Sequence, residues 1–114
     1  MTPEAKVKKK IHDALKKAGA YAVNYIGGMY AANGTPDILA CLDGRFIGIE
    51  AKAGYNKPTG IQVVSLTRIT KAGGLGLVIN EKNLDYLDAC LADIHNAQHN
   101  YHQYEKILDE TSDD

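Results

Sequence analysis

The pair Asp43-Gly44 lies between two apolar runs, Ile38-Leu-Ala-Cys-Leu42 and Arg45-Phe-Ile-Gly-Ile49, and it constrains the fold more than any other feature of the chain. Asp-Gly in that setting specifies a two-residue type I′ turn, which needs φ > 0 at both central residues. A two-residue loop fixes the register of the hairpin. Leu42 then faces Arg45, Leu39 faces Gly48, and Asp37 faces Glu50. Opposed side chains stand ~4.5–5.5 Å apart at Cβ, where like charges destabilise. At ~4 Å and an effective dielectric of ~20 the repulsion is about 4 kcal/mol, before solvent reduces it. A cation held between the two carboxylates would remove the conflict. Strand alternation puts Lys52 on the same face as Glu50. The plainer account is that Asp37 caps a turn after Pro36 and that Glu50 and Lys52 are a strand-end surface pair.

The remaining pattern gives an α-β-β-β-α-β-α order. Thr2-Pro3-Glu4 opens a first helix with an N-cap, a proline at the first helical position and an acid in the first turn. Val7, Ile11, Ala14, Leu15 and Ala18 form its apolar stripe, and Gly19 ends it. Residues 21–26 read as a strand and 27–36 as a loop. Both faces of the hairpin are largely apolar, which predicts two central strands covered by helices on each side. Thr59-Gly-Ile-Gln62 is a capping-box pattern that starts a second helix, running to Ala72. Residues 75–79 follow as a short strand, and a long helix spans about 83–108. The fold class is therefore α/β, a mixed sheet flanked by helices. We divide it into a core at 1–82, a C-terminal helix at 83–110 and an acidic tail at 111–114, expected to be disordered or solvated.

At 114 residues the chain is one domain, with no run of ~18 apolar residues for a membrane helix and no signal-peptide pattern. Cys41 and Cys90 read as reduced, buried thiols of a cytoplasmic protein. The near-neutral total hides a division of charge: residues 1–82 hold 12 Lys/Arg against 6 Asp/Glu, and the remainder 1 against 8. Lys6, Lys8, Lys9 and Lys10, with Lys57 near the carboxylates, fit contact with nucleic-acid phosphates. A solvated helix face explains the lysine run as well. Two carboxylates, water and backbone carbonyls suit a hard cation such as Mg²⁺. Lys52 could orient or deprotonate a metal-bound water, or stabilise phosphorane charge.

Gly34-Thr-Pro36-Asp37, twelve residues, then Glu50-Ala-Lys52 resembles the Pro-Asp…(Asp/Glu)-x-Lys signature of restriction-endonuclease-like nucleases. More closely, the chain resembles the virus-type replication-repair nuclease (VRR-NUC) domain in its stand-alone phage and bacterial form. That family carries a helical Glu, Gly-x-Pro-Asp, Glu-x-Lys and a Gln on the next helix. Glu4, Gly34/Pro36/Asp37, Glu50/Lys52 and Gln62 supply them in that order, across roughly residues 1–82. The resemblance implies a restriction-endonuclease-like core and a Mg²⁺- or Mn²⁺-dependent DNA endonuclease. Branched or structured DNA, such as junctions or flaps, would be the substrate. It implies that Asp37, Glu50 and the Ala51 carbonyl bind the metal, that Glu4 adds a ligand or water contact, and that Lys52 and Gln62 complete the site. Two other readings stand beside it: a non-catalytic nucleic-acid-binding module of the same fold, and a small interaction protein working through its acidic helix.

Several residues carry plainer readings. Glu4 suits the helix dipole alone, and Gln62 suits the capping box alone. His95, His99 and His102 share a helix face at a zinc-compatible spacing, yet read as an exposed polar face. Tyr25, Tyr30 and Tyr55 flank the loops around the carboxylates and read as packing residues, with base stacking as the alternative. The second half of the last helix, with Tyr101, Tyr104, Ile107 and Leu108, has more apolar stripe than a small sheet covers, which predicts a homodimer.

Overall fold

The structure is a computed structural model and describes residues 1–27 and 34–111, with side chains through Ala97. Its elements follow the expected order: α1 (Pro3–Ala18), β1 (Tyr21–Asn24), β2 (Ile38–Leu42), β3 (Arg45–Ala51), α2 (Gly60–Lys71), β4 (Leu75–Ile79) and α3 (Leu84–Thr111). The four strands lie in the order β1-β2-β3-β4. β1, β2 and β3 pair antiparallel, and β4 pairs parallel to β3, so the sheet is mixed. Parallel pairing needs a crossover, and α2 is that crossover.

The hairpin has the register its turn demands. Leu42 pairs with Arg45, Leu39 with Gly48 and Ile38 with Ile49. Asp43 has φ 50° and Gly44 φ 83°, both in the left-handed region that a type I′ loop requires. The ladder stops at Ile38–Ile49, so Asp37 lies one residue beyond it. There its carbonyl accepts a hydrogen bond from Tyr25 N–H at 2.7 Å. α1 is capped as predicted, with Thr2 Oγ1 accepting from Ala5 N–H at 3.1 Å and Gly19 left-handed at φ 88°.

One face of the sheet is closed. Ile38, Ala40, Leu42, Ile47, Ile49 and Ala51 point into it and are buried, together with Val7, Ile11 and Leu15 of α1 and Leu87, Leu91 and Ile94 of α3. His95 Nδ1 meets Asp43 Oδ2 at 2.9 Å, tying α3 to the hairpin turn. His99, His102, the residues of the expected dimer stripe, Tyr30 and the end of the acidic tail lie outside the described side chains.

The other face corrects two expectations. It carries one helix, α2, against β3 and β4. The approach is close because the strands offer glycine there: a Cβ on Gly48 would stand 2.6 Å from Ile69 Cδ1, and one on Gly76 would meet the Leu66 carbonyl. A single helix is ~10 Å wide and strands lie ~4.8 Å apart, so it roofs two strands and no more. Among the described residues, β1 and β2 are therefore bare on this side. Tyr21, Val23 and Phe46 are exposed, and so is Cys41, which was expected to be buried; Cys90 is half-buried, and both thiols are free.

Candidate functional site

Alternation along β3 sends Ile47, Ile49 and Ala51 into the closed core and Gly48 and Glu50 toward α2. Glu50 is 2% exposed and is the one buried charged side chain among the described residues. Its Oε1 accepts from Gln62 Nε2 at 3.0 Å and faces Lys52 Nζ at 3.7 Å. Its Oε2 is buried with no hydrogen-bond partner. Asp37 stands alongside, its Oδ2 accepting from Ala51 N–H at 3.1 Å and its Oδ1 facing Lys8 Nζ at 3.8 Å. Burial, then the adjacent Asp37 carboxyl, push the Glu50 carboxyl up to about 7, against the opposing pull of Lys52. A buried carboxyl with one oxygen unpartnered beside a second carboxyl is a poor arrangement for stability and a good one for a cation.

The segment that delivers Asp37 is held under α2. Gly34 has φ 80°, and a Cβ there would overlap the side chain and backbone of Ile61; Pro36 is fully buried. Glycine is thus required twice over at the first position of the Gly-x-Pro-Asp element, by conformation and by space.

Gln62 does two jobs at once. The capping box forms, with Gln62 N–H donating to Thr59 Oγ1 at 3.3 Å and Thr59 N–H donating to Gln62 Oε1 at 2.9 Å. Since the cap consumes the amide oxygen, the NH₂ end is the one aimed at Glu50. The capping box and the hydrogen bond to Glu50 are made by the same side chain.

Four lysines of α1 divide between two clefts. Lys8 and Lys9 line a cleft of about 410 Å³ with His12, Asn24, Tyr25, Ile26 and Asp37. Lys6 and Lys10 line another, of about 240 Å³, with Glu81. His12 Nε2 lies 2.7 Å from Asn24 Oδ1. Neither His12 nor Asn24 was singled out from the sequence, although Lys8 and His12 are four apart on one helix face, which is a usable signal. Lys57 is exposed on the loop after β3. A cleft of about 560 Å³ lies between Phe46 and the Ile61, Val64 and Ile69 side of α2. It holds no carboxylate, so volume does not mark the chemistry here.

Among the described residues no group of three His, Cys, Asp or Glu side chains gathers. Glu4 therefore does not close a three-carboxylate set with Asp37 and Glu50, and the histidine face of α3 makes no zinc site within its described part. The donor set that exists is two carboxylates, hard oxygen ligands that leave most positions to water or substrate. Ala51 donates its N–H to Asp37 Oδ2 and pairs with Ile79 of β4.

No family model matches the sequence, and no curated protein matches it. A solved structure described as a VRR_NUC domain does match the fold, with a TM-score of 0.64 and 24% identity, covering 76% of this chain and 95% of that one. The architecture is a mixed α/β fold like that of the VRR_NUC domain and consistent with a restriction-endonuclease-like core, as the resemblance carried by Pro36-Asp37 and Glu50-Ala-Lys52 implied. No helix among the described residues is long and apolar enough to cross a membrane.

Proposed function

We propose that the chain is a Mg²⁺- or Mn²⁺-dependent endonuclease that hydrolyses DNA phosphodiester bonds, acting on branched or structured DNA such as junctions or flaps. The observation that carries this reading is the buried, half-unpartnered Glu50 carboxyl beside Asp37, on a VRR_NUC fold. Asp37 and Glu50 would hold the cation, with the Ala51 carbonyl as a further ligand and Glu4 contributing through water. When bound, a divalent cation supplies Lewis acidity at a phosphoryl oxygen and acidifies its water. Gln62 keeps Glu50 in one orientation through the cap of α2. Lys52, 15% exposed in its side chain, stands where it can orient the attacking water or offset developing phosphorane charge. Lys8 faces Asp37 and would be available for substrate phosphate if a bound cation neutralised that carboxylate. Lys6, Lys9, Lys10 and Lys57 extend the phosphate-binding surface.

Cleavage of labelled linear, flap and four-way-junction DNA, with Mg²⁺, with Mn²⁺ and with chelator, tests the reading. Metal-dependent cutting that favours the branched substrates is expected, and intact DNA under all conditions would overturn it. The same reading includes a homodimer built on the far half of α3 and operation in the cytoplasm, where a two-fold assembly would suit a junction. Light scattering that gives a ~12 kDa particle at tens of micromolar protein would remove the dimer from it.

A further inference from the structure

Tyr55 is 92% exposed, although the sequence alone reads it as a packing residue. It lies three residues beyond Lys52, so at most about 11 Å of chain separates the two Cα atoms. The loop that carries it is fastened at several points. Lys52 N–H donates to the Ile79 carbonyl at 3.0 Å, Gly54 N–H to Glu81 Oε1 at 2.8 Å, and Asn56 N–H to the Ala53 carbonyl at 3.2 Å. The Glu81 carboxyl is held below its ordinary range by its own backbone N–H and by that of Gly54, so it stays an acceptor. Lys82 Nζ sits 4.0 Å from the centre of the Tyr55 ring. One face of the ring is thus backed by a cation, and the high exposure leaves the opposite face to solvent. Lys6 and Lys10 share a cleft with Glu81, which brings the α1 cations to the foot of the same loop.

An exposed aromatic ring on an anchored loop, with one ammonium over it and two more lysines at the loop's foot, has the chemistry that binds a nucleobase: stacking on the ring, with the sugar-phosphate chain following the cations. A base inside a continuous duplex already has a neighbour on each face and cannot reach such a ring. We propose that Tyr55, backed by Lys82, is a stacking platform for an unpaired nucleobase adjacent to the scissile phosphate at the Asp37/Glu50 site. The platform selects DNA with an unpaired nucleotide beside the cleavage point and tolerates any base there. This inference rests on the nuclease reading for the identity of its ligand.

The chain has no tryptophan, so Tyr55→Trp installs a single fluorescent reporter on the platform. With chelator present to prevent cleavage, this variant is titrated with a fluorescein-labelled blunt duplex and with the same duplex carrying a short unpaired flap. Tryptophan emission reports stacking, and fluorescein anisotropy reports total binding. Quenching by the flap DNA and not by the blunt duplex is expected. Tyr55→Ala should weaken flap binding about 10-fold and leave blunt-duplex binding within about 2-fold. Equal quenching by both DNAs, binding of the flap without quenching, or equal weakening of both by Tyr55→Ala would each overturn the platform. Wild-type protein that cleaves nothing with Mg²⁺ or Mn²⁺ but shows flap-specific quenching would overturn the nuclease reading and leave the platform standing. An absence of binding to either DNA overturns the platform, and cleavage with Mg²⁺ or Mn²⁺ decides the nuclease reading separately.

Discussion

The two faces of this sheet are made by alternate residues of the same strands, yet they obey different rules. Ile38, Ala40, Ile47, Ile49 and Ala51 look toward α1 and α3 and are closed off from water. Leu39, Cys41, Phe46, Gly48 and Glu50 look the other way, where one helix covers half the surface and a charged group is buried with an oxygen unpartnered. The closed face is where apolar burial stabilises the fold. The open face gives up some of that stabilisation to hold two carboxylates together. A register slip of one residue would exchange the two roles, which explains the need for a turn with no freedom in its length.

Four measurements test that division, beginning with the largest effect. Glu50→Ala should lower DNA cleavage by at least ~10³-fold, about 4 kcal/mol of transition-state stabilisation, and Asp37→Ala and Lys52→Ala should follow it. The melting temperature should change little, because the group removed is a desolvated carboxyl with one oxygen unpartnered and no part of the closed apolar core. Cleavage near the wild-type rate would end the assignment, and an unfolded variant would end the separation of roles. Ile49→Ala, one residue away on the closed face, should cost about 2–5 kcal/mol of stability, read from its urea midpoint. If it unfolds at the wild-type midpoint, the closed face is not the stabilising one.

The third measurement is of pH. The Glu50 carboxyl is raised from 4.5 to about 7 in the fold, so the native state keeps a proton that the unfolded chain has lost. The stability this group contributes is complete below about 4.5 and is lost as pH rises through about 7, a change on the order of 3 kcal/mol. Glu50→Gln should abolish that slope, so the variant gains on the wild type between pH 5 and pH 8 in chelator. A constant difference between the two proteins at both pH values would refute it. The smallest effect belongs to the bare part of the open face. Cys41→Ser should change stability by less than ~0.5 kcal/mol, and native Cys41 should react with a thiol reagent much faster than half-buried Cys90. Comparable rates would mean that something covers β2.

Features set by neighbours in the chain were legible from the sequence. Asp43-Gly44 allowed one loop geometry and therefore one register, and the Thr2, Gly19 and Thr59 caps set helix ends through hydrogen bonds spanning three to five residues. Long-range assembly was less legible. Both hairpin faces were read as covered, because apolar alternation reports where a side chain points and not whether a helix arrives there; hence Cys41. That the Gln62 amide would serve a cap and a carboxylate together depends on how closely α2 approaches β3, which two glycines on different strands decide. Glu4 was placed by resemblance alone, and position in the first turn of a helix does not say how far the side chain is from a strand end. Lys8 reaches Asp37 because α1 crosses the sheet at one angle, a tertiary fact with no local signature.

The hairpin also has a consequence in time. Asp37, Glu50 and their short turn form one local unit, and β-hairpins close in ~1–10 μs. β4 joins only after 23 further residues, including α2, have been brought round to pair Ala51 with Ile79. Non-local parallel pairing is the slower event in general. The expected order of assembly therefore brings the two carboxylates together before Gln62 arrives to orient them. In refolding experiments, substitutions in the β2–β3 turn should slow folding, while Thr59→Ala should mainly hasten unfolding; the reverse partition would show that the crossover forms first.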